Sequence, residues 1–400
     1  MRILHTADWH LGKKLEFFNR LEEQEQVLRE ICTISEEQNV DLVIVAGDLF
    51  DSATPSNEAM ELLYKTLKKL ANNGKIPVIA IAGNHDSPSR INVADVLARE
   101  NGIILIGYPT DVVPTLALEN GFKISQSEIG FIEVEIPEIP YPIRILHTAY
   151  ANEIRLKEYF GEEKERSLQE SLGAKWKKLA DSYCDKKGVN ILTSHLYMLK
   201  RGGAILEEPD GERPLNIGTA DLLYSDAIPA QIQYVALGHL HRFQDVGAQQ
   251  PVIYSGSPLA YSFAEAGQQK YVSIIDIEPD SEPVISKIPL HSGKPLMRKT
   301  FDNFENAINW LLENKNCLVE LTLEVENYLK SEERKLLYQT HDGIIHLIPK
   351  VKNVQNSESS TKTIDLSKNI DELFKDYFKS KNSNLEPNEE LMTLFKEILL

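Results

Sequence analysis

Five apolar runs along the chain each give way to a short polar cluster: Ile3-Leu4, Leu42-Val43-Ile44-Val45, Val78-Ile79-Ala80-Ile81, Ile191-Leu192 and Tyr234-Val235-Ala236-Leu237. Their length and aliphatic character predict strands. Between the first three lie stretches with helical spacing. Residues 20–38 place Leu21, Leu28, Ile31 and Ser35 on one face. Ser56 after Pro55 is a suitable N-cap for a helix over 56–73 that Gly74 stops, with Ala59, Leu62, Leu63, Leu67 and Leu70 as its stripe. A third helix is expected over 89–100, carrying Ile91, Ala94, Val96 and Leu97. Strand, helix, strand, helix, strand from Arg2 to Ile81 is an α/β pattern.

Residues 103–150 are rich in Val, Ile, Pro and Gly and read as edge strands or hairpins, and 162–187 as a charged helix. Strand and turn patterns resume from 231 to 276 and complete a first domain, 1–280. A small α+β domain follows over 281–351. Its first helix is expected to open on a capping box of Asp302 and Glu305, and strands at 317–325 and 344–351 flank a helix over 331–339. Residues 352–363 are a polar Ser/Asn-rich linker. Two amphipathic helices end the chain within 364–400, one with Ile370, Leu373, Phe374, Tyr377 and Phe378, the other with Leu391, Leu394, Phe395, Ile398 and Leu399. They are too small for a core of their own and too apolar to lie bare in water, so a docking role is expected.

Composition changes this picture little: 42% hydrophobic and 26% charged residues are those of a globular protein. No apolar run approaches the roughly 18–20 residues of a membrane span. The early Asp8 argues against a secretory leader. Cys32, Cys184 and Cys317 are few, odd in number and scattered, which points away from disulfides and thiolate zinc and towards a cytoplasmic setting. Charge matters more. The 43 Lys and Arg against 60 Asp and Glu leave −17, an obstacle to gripping nucleic acid. Bound divalent cations would add about four positive charges.

The polar clusters after the strands are Asp8-Trp9-His10, Gly47-Asp48-Leu49-Phe50-Asp51, Gly83-Asn84-His85-Asp86, Ser194-His195 and Gly238-His239-Leu240-His241. Strands of a sheet deliver the residues at their carboxyl ends to a common rim. Asp8 with His10, and His239 with His241, point the same way if their backbone is extended. Asp48 suits a bridge between two ions. Two carboxylates, one amide and four imidazoles form a mixed O/N set suited to Mn²⁺, Fe²⁺ or Zn²⁺. His85, beside a ligand, is expected to face the substrate as a general acid, with Asp51 or Asp86 orienting its ring. Any one motif alone is more often structural. All five in order are not accidental. The remaining histidines, His5, His147, His291, His341 and His346, have no such neighbours and read as core or surface residues.

The order Asp-x-His, Gly-Asp-x-x-Asp, Gly-Asn-His-Asp, His and Gly-His-x-His resembles that of the calcineurin-like metallophosphoesterases. Within them, His5-Thr6-Ala7-Asp8-Trp9-His10-Leu11-Gly12, Ala46-Gly47-Asp48-Leu49-Phe50-Asp51, Gly83-Asn84-His85-Asp86-Ser87, Leu237-Gly238-His239-Leu240-His241 and Ser255-Gly256-Ser257-Pro258 are similar to the double-strand-break nuclease branch. The likeness spans nearly the whole chain. It implies a two-sheet sandwich flanked by helices, a capping domain and C-terminal helices. It implies a first metal at Asp8, His10 and His241, a second at Asn84, His195 and His239, Asp48 bridging, and His85 as catalytic histidine. It further implies manganese, a homodimer through 56–73 and 89–100, and an SMC-like ATPase bound through 364–400. The implied activity is ATP-assisted exonuclease action on duplex DNA ends and endonuclease action on single strands and hairpins. Ser52 stands where the phosphatase branch often has Arg. Lys13, Lys14, Arg90, Lys200, Arg201 and Arg242 are the basic residues nearest the motifs and the candidates for DNA contact. A phosphomonoesterase or cyclic-nucleotide phosphodiesterase on the same scaffold is the first alternative, a non-catalytic scaffold the second.

Overall fold

The structure, a computed structural model, describes residues 1–119, 121–159, 164–203, 206, 222–326, 329–351, 370–381, 387, 391–392 and 395. The described residues fall into two compact units, Met1–Leu323 with Leu329–Pro349, and the described parts of Glu324–Tyr328 and Lys350–Leu400.

Two mixed sheets build the first unit. The six-stranded sheet runs Val284–Pro289, Tyr271–Asp276, Arg2–Thr6, Leu42–Ala46, Val78–Ile81, Ile103–Ile106. Its last four strands are parallel and its first two pair antiparallel. Helices α1 (Leu21–Glu37) and α2 (Asn57–Leu70) form the crossovers and pack together. Parallel strands covered on both faces must be apolar throughout, and all five residues of Leu42–Ala46 are buried. Ser56 caps α2, its hydroxyl accepting from the Ala59 amide at 3.3 Å. The helix expected over 89–100 is broken instead: α3 (Pro88–Val93) and α4 (Asp95–Arg99) meet at Ala94.

The eight-stranded sheet is ordered Gln244–Asp245, Val252–Tyr254, Tyr234–Gly238, Val189–His195, Ile143–Thr148, Phe131–Glu135, Lys123–Glu128, Leu116–Ala117. The pleat sends Ile132, Ile145, Ile191 and Ala236 into the core shared with the first sheet. It sends Phe131, Leu146, Leu192 and Leu237 the other way, onto Leu172, Trp176 and Leu179. Those last three lie on α6 (Lys164–Tyr183), and α5 (Glu153–Leu156) precedes it. The sheets approach most closely where Val189–His195 and Tyr234–Gly238 pack on Leu42–Ala46.

The first sheet extends beyond the domain limit expected at 280, because Val284–Pro289 returns as its edge strand after a turn with Asp280 at φ 53°. Next comes a small sheet of Leu296–Phe301, Leu318–Val325 and Ile344–Val351 with α7 (Phe304–Glu313) and α8 (Ser331–Thr340). Asn303, not Asp302, caps α7, its side chain accepting from the Glu305 and Asn306 amides. Leu296, Leu318 and Ile345 bury against Leu15 and Phe263 of the main body. In the second unit α9 (Ile370–Lys381) carries Phe374, whose ring stacks on Phe395 at 3.9 Å. The linker 352–363 and most of the last expected helix lie outside the described residues.

Candidate metal centre

The strands Arg2–Thr6, Leu42–Ala46, Val78–Ile81, Val189–His195 and Tyr234–Gly238 end at one rim. Beyond the strand ends, the first two segments continue to pair. The Asp8 amide donates to Gly47 O (3.0 Å), His10 to Asp48 O (2.9 Å) and Leu11 to Leu49 O (3.0 Å). The close approach of the strand ends requires glycine. A Cβ at Gly238 would lie 1.9 Å from Ala46 O, and one at Gly83 2.1 Å from Asp48 Oδ1.

The expected extended backbone at Asp8-x-His10 and His239-x-His241 is not what brings the donors together. Asp8 (φ 54°), His10 (φ 44°), Asp48 (φ 48°) and His239 (φ 108°) all lie at positive φ. Side chains converge because tight turns swing them inward, a conformation Asp and His tolerate better than most residues.

His10 Nε2 sits 2.9 Å from His241 Nε2, and with Asp8 these residues form one group whose ligand atoms lie within 4.8 Å of one another. Asn84 Oδ1 lies 3.0 Å from both His195 Nε2 and His239 Nδ1. Asp48 Oδ2 falls between the groups, 3.5 Å from His10 Nε2 and 3.4 Å from His195 Nε2. Asp8, His10, Asp48, His195 and His241 are buried, and Asn84 and His239 are half-buried. Asp8 Oδ2 and His10 Nδ1 are buried without a hydrogen-bond partner. Polar atoms so deep need a partner. A set of two carboxylates, an amide and four imidazoles, with opposed lone pairs, fits divalent cations.

Charge in this pocket is poorly settled by the protein alone. Burial pushes the Asp8 carboxyl up to about 7, with the neighbouring His195 and His241 opposing it. Burial takes His239 down to about 3 and His10 well below its ordinary value. At Asp48, burial works upwards, but His195, His10 and His85 prevail and hold it low. Burial likewise works against the charged form of His195, yet Asp48 and Asp8 raise it to about 9.

His85 packs edge-on to His10 with ring centroids 4.8 Å apart. Its Nδ1 pairs with Asp51 O at 2.8 Å, and its amide donates to Asp48 Oδ1 at 2.9 Å. Neither carboxylate expected to orient the ring does so. Asp51 uses its backbone carbonyl, while its side chain faces Lys13 Nζ (3.2 Å) and His10 Nδ1 (3.7 Å). The Asp86 carboxylate turns inward and accepts from the amides of Gly83 (2.8 Å), Phe50 (2.9 Å) and Leu49 (3.0 Å). Three backbone donors hold it more strongly than one ring would. A carbonyl at Nδ1 fixes the proton there and directs Nε2 outward.

Several supporting residues carried no signal in the sequence, because they lie outside the motifs and most act on backbone atoms. Gln24 of α1 accepts from the Gly12 amide (3.0 Å) and donates to His10 O (2.8 Å). The Tyr261 hydroxyl donates to Trp9 O. Glu265, paired with Lys270, lies 3.6 Å from His241 Nδ1. Arg155 donates to carbonyls of the turn that bears Asn84 and His85. Among the candidate DNA contacts, Lys14 and Lys200 are exposed and Arg90 donates to Ala53 O. Arg242 is also exposed, and Arg201 pairs with Asp226 at 2.6 Å.

A family model for calcineurin-like phosphoesterases matches residues 1–243. SbcD, a subunit of the nuclease SbcCD of Bacillus subtilis (strain 168), is 36% identical over 406 residues, covering 100% of this chain and 97% of that protein. The protein of the same name from Staphylococcus epidermidis is 32% identical over 323 residues, 79% of this chain and 76% of the relative. Among solved structures, a dimetal phosphatase from Danio rerio aligns over 72% of this chain and 96% of its own at 11% identity and a TM-score of 0.41. With a family match over 1–243 and a relative matched from end to end, this chain is a metallophosphoesterase that belongs to the calcineurin-like phosphoesterases, in the family of the SbcD nuclease subunits.

Proposed function

We propose that this chain is the manganese-dependent DNA nuclease subunit of an SbcCD-type complex, hydrolysing phosphodiesters at duplex ends, hairpins and single strands. The observation that carries the choice of DNA over a small phosphoester is the 36% identity to a nuclease subunit across the whole chain, capping domain and tail included. Asp8, His10 and His241 would hold one cation and Asn84, His195 and His239 the other, with Asp48 shared. Such ions supply positive charge for the phosphoryl oxygens and for loss of a proton from water. His85, its Nδ1–H fixed on Asp51 O, would serve the leaving oxygen as a general acid through Nε2, a role that needs the ring protonated on both nitrogens. The exposed Lys14, Lys200 and Arg242, with Arg90, Lys13 and Arg201, are proposed to receive the DNA backbone.

Two contacts complete the reading. Val93, Val96 and Leu97 are 83%, 64% and 77% exposed on α3 and α4. This apolar face supports the 89–100 part of the homodimer contact expected through 56–73 and 89–100, while Ala59, Leu63, Leu67 and Leu70 of 56–73 are buried in the core. The amphipathic α9 supports docking of an SMC-like ATPase through 364–400. A cytoplasmic setting accords with a DNA substrate.

The test is cleavage of end-labelled duplex, hairpin DNA and a phosphomonoester by the purified chain, with Mn²⁺ or with EDTA. Mn²⁺-dependent shortening of DNA and slow monoester turnover are expected. His85→Gln should keep its metal and lose roughly 10²–10⁴ in DNA turnover. A fast monoester beside intact DNA would move the reading to a small-molecule phosphoesterase.

A further inference from the structure

The turn Gly83–Asp86 carries both a candidate ligand, Asn84, and the candidate acid, His85. Its inward-facing polar groups are spoken for. The His85 amide donates to Asp48 and the Gly83 amide to Asp86. Three carbonyls on its other side are partly withdrawn from solvent and need donors. One guanidinium supplies them. Arg155 donates from Nη1 to Gly83 O (2.8 Å) and from Nη2 to Asp86 O (2.9 Å) and Asn84 O (3.4 Å).

Arg155 is itself held. Its guanidinium lies over the Tyr150 ring at 4.9 Å, and the Tyr150 amide donates to Ala82 O, the residue before the turn (2.9 Å). The Arg155 amide donates to the Asn152 side chain, which caps α5 (2.9 Å). A planar fork reaching several acceptors is something lysine cannot reproduce.

We infer that Arg155 is a positioning residue for this centre, clamping the Gly83–Asp86 turn so that Asn84 Oδ1 and the His85 ring keep their places. It touches neither phosphate nor metal in this role. The inference rests on the proposed ligand and acid roles of Asn84 and His85, and its consequences divide accordingly. Asn84 belongs to one ion only, whereas Asp48, held by the His85 amide of the same turn, is shared, so loosening the turn weakens the ion at Asn84 more than the other. His85 serves the leaving oxygen, so loosening the turn hurts most where that oxygen needs a proton.

The experiment compares Arg155→Gln and Arg155→Lys with wild type, each shown folded by circular dichroism at the assay temperature. Calorimetric titration with Mn²⁺ of the metal-stripped proteins reads the first consequence. The expected result is one site weakened at least about tenfold in Arg155→Gln, less in Arg155→Lys, with the other site weakened clearly less. Two unchanged sites, or two weakened equally, would overturn the role at Asn84. Turnover of DNA and of bis(4-nitrophenyl) phosphate reads the second. DNA cleavage should fall roughly 100-fold, and the nitrophenyl ester far less, since nitrophenolate leaves without a proton. Equal losses on both would overturn the role at His85. If wild type cleaves neither substrate, the nuclease reading fails while the titration still decides what Arg155 does for Asn84.

Discussion

At the scale of single residues, the centre is assembled from conformations that its motifs do not announce. Four of the donor residues sit at positive φ. Each such position costs on the order of 1–2 kcal/mol in the absence of compensating contacts. The identities of Asp8, His10, Asp48 and His239 were legible in the sequence, since carboxylate and imidazole after a strand are a chemical signature. Their backbone was not, because i, i+2 spacing is the same in a strand and in two consecutive turns. The same limit hid Asp86, whose side chain serves three amides rather than His85. Two histidines outside the motifs yield a prediction about stability. His5 and His147 are fully buried, and burial takes them from 6.5 to about 3 and about 4. Both therefore stay neutral in the folded protein. The unfolded chain takes up protons below about pH 6.5 while the folded one does not, so stability falls as pH drops from 6.5 towards 4. At pH 5 the loss is about 2 kcal/mol for each ring. Urea denaturation of wild type and His147→Met at pH 7 and pH 5 checks this. The variant should lose about 2 kcal/mol less than wild type over that interval, and an identical loss would show that His147 does not titrate as inferred.

At the scale of elements, the strands were the most readable part of the chain. A parallel strand buried on both faces has to be a continuous apolar run, and Leu42–Ala46 and Val78–Ile81 are such runs. The single helix expected over 89–100 is instead two, α3 and α4, for an equally physical reason. Its apolar residues keep helical spacing through Ala94, but Ile91 faces the core while Val96 and Leu97 face outward. Spacing gives the period of a stripe and not its direction. The Asn92 side chain, on α3, ties the end of that helix to the Gly107 amide and the Asp111 carboxylate. Where two strands end against each other, side-chain volume decides. Gly238 ends the strand Tyr234–Gly238 with its Cα against Ala46 O. Gly238→Ala is expected to cost about 1–3 kcal/mol by overpacking. It should also shift His239 and weaken Mn²⁺ binding. Denaturant melts and metal content after dialysis would read both. An unchanged midpoint with full metal would mean that the strand ends can separate freely.

At the scale of the whole molecule, the charge of −17 and the apolar ends belong to one argument. A body this acidic gains little from long-range attraction to DNA, whose affinity for proteins comes largely from phosphate contacts with Lys and Arg. Metal in the centre and the proposed basic contacts would provide local attraction only. A partner that grips DNA would supply the remainder, and on the proposed reading the tail is where it docks: α9 carries Leu373, Phe374 and Phe378 half-buried and Tyr377 exposed. Removing residues 364–400 therefore separates chemistry from delivery. The seven donors and His85 all lie in the first compact unit, so the truncated protein should keep its Mn²⁺ and cut a short hairpin within about threefold of the full chain, as expected of a change remote from the reacting groups. It should no longer co-migrate with the complex's ATPase in size-exclusion chromatography, and ATP should no longer stimulate its cleavage of duplex ends. Retained association would place the contact elsewhere on the chain. Loss of hairpin cleavage and of metal together would make those helices part of the fold that holds the centre.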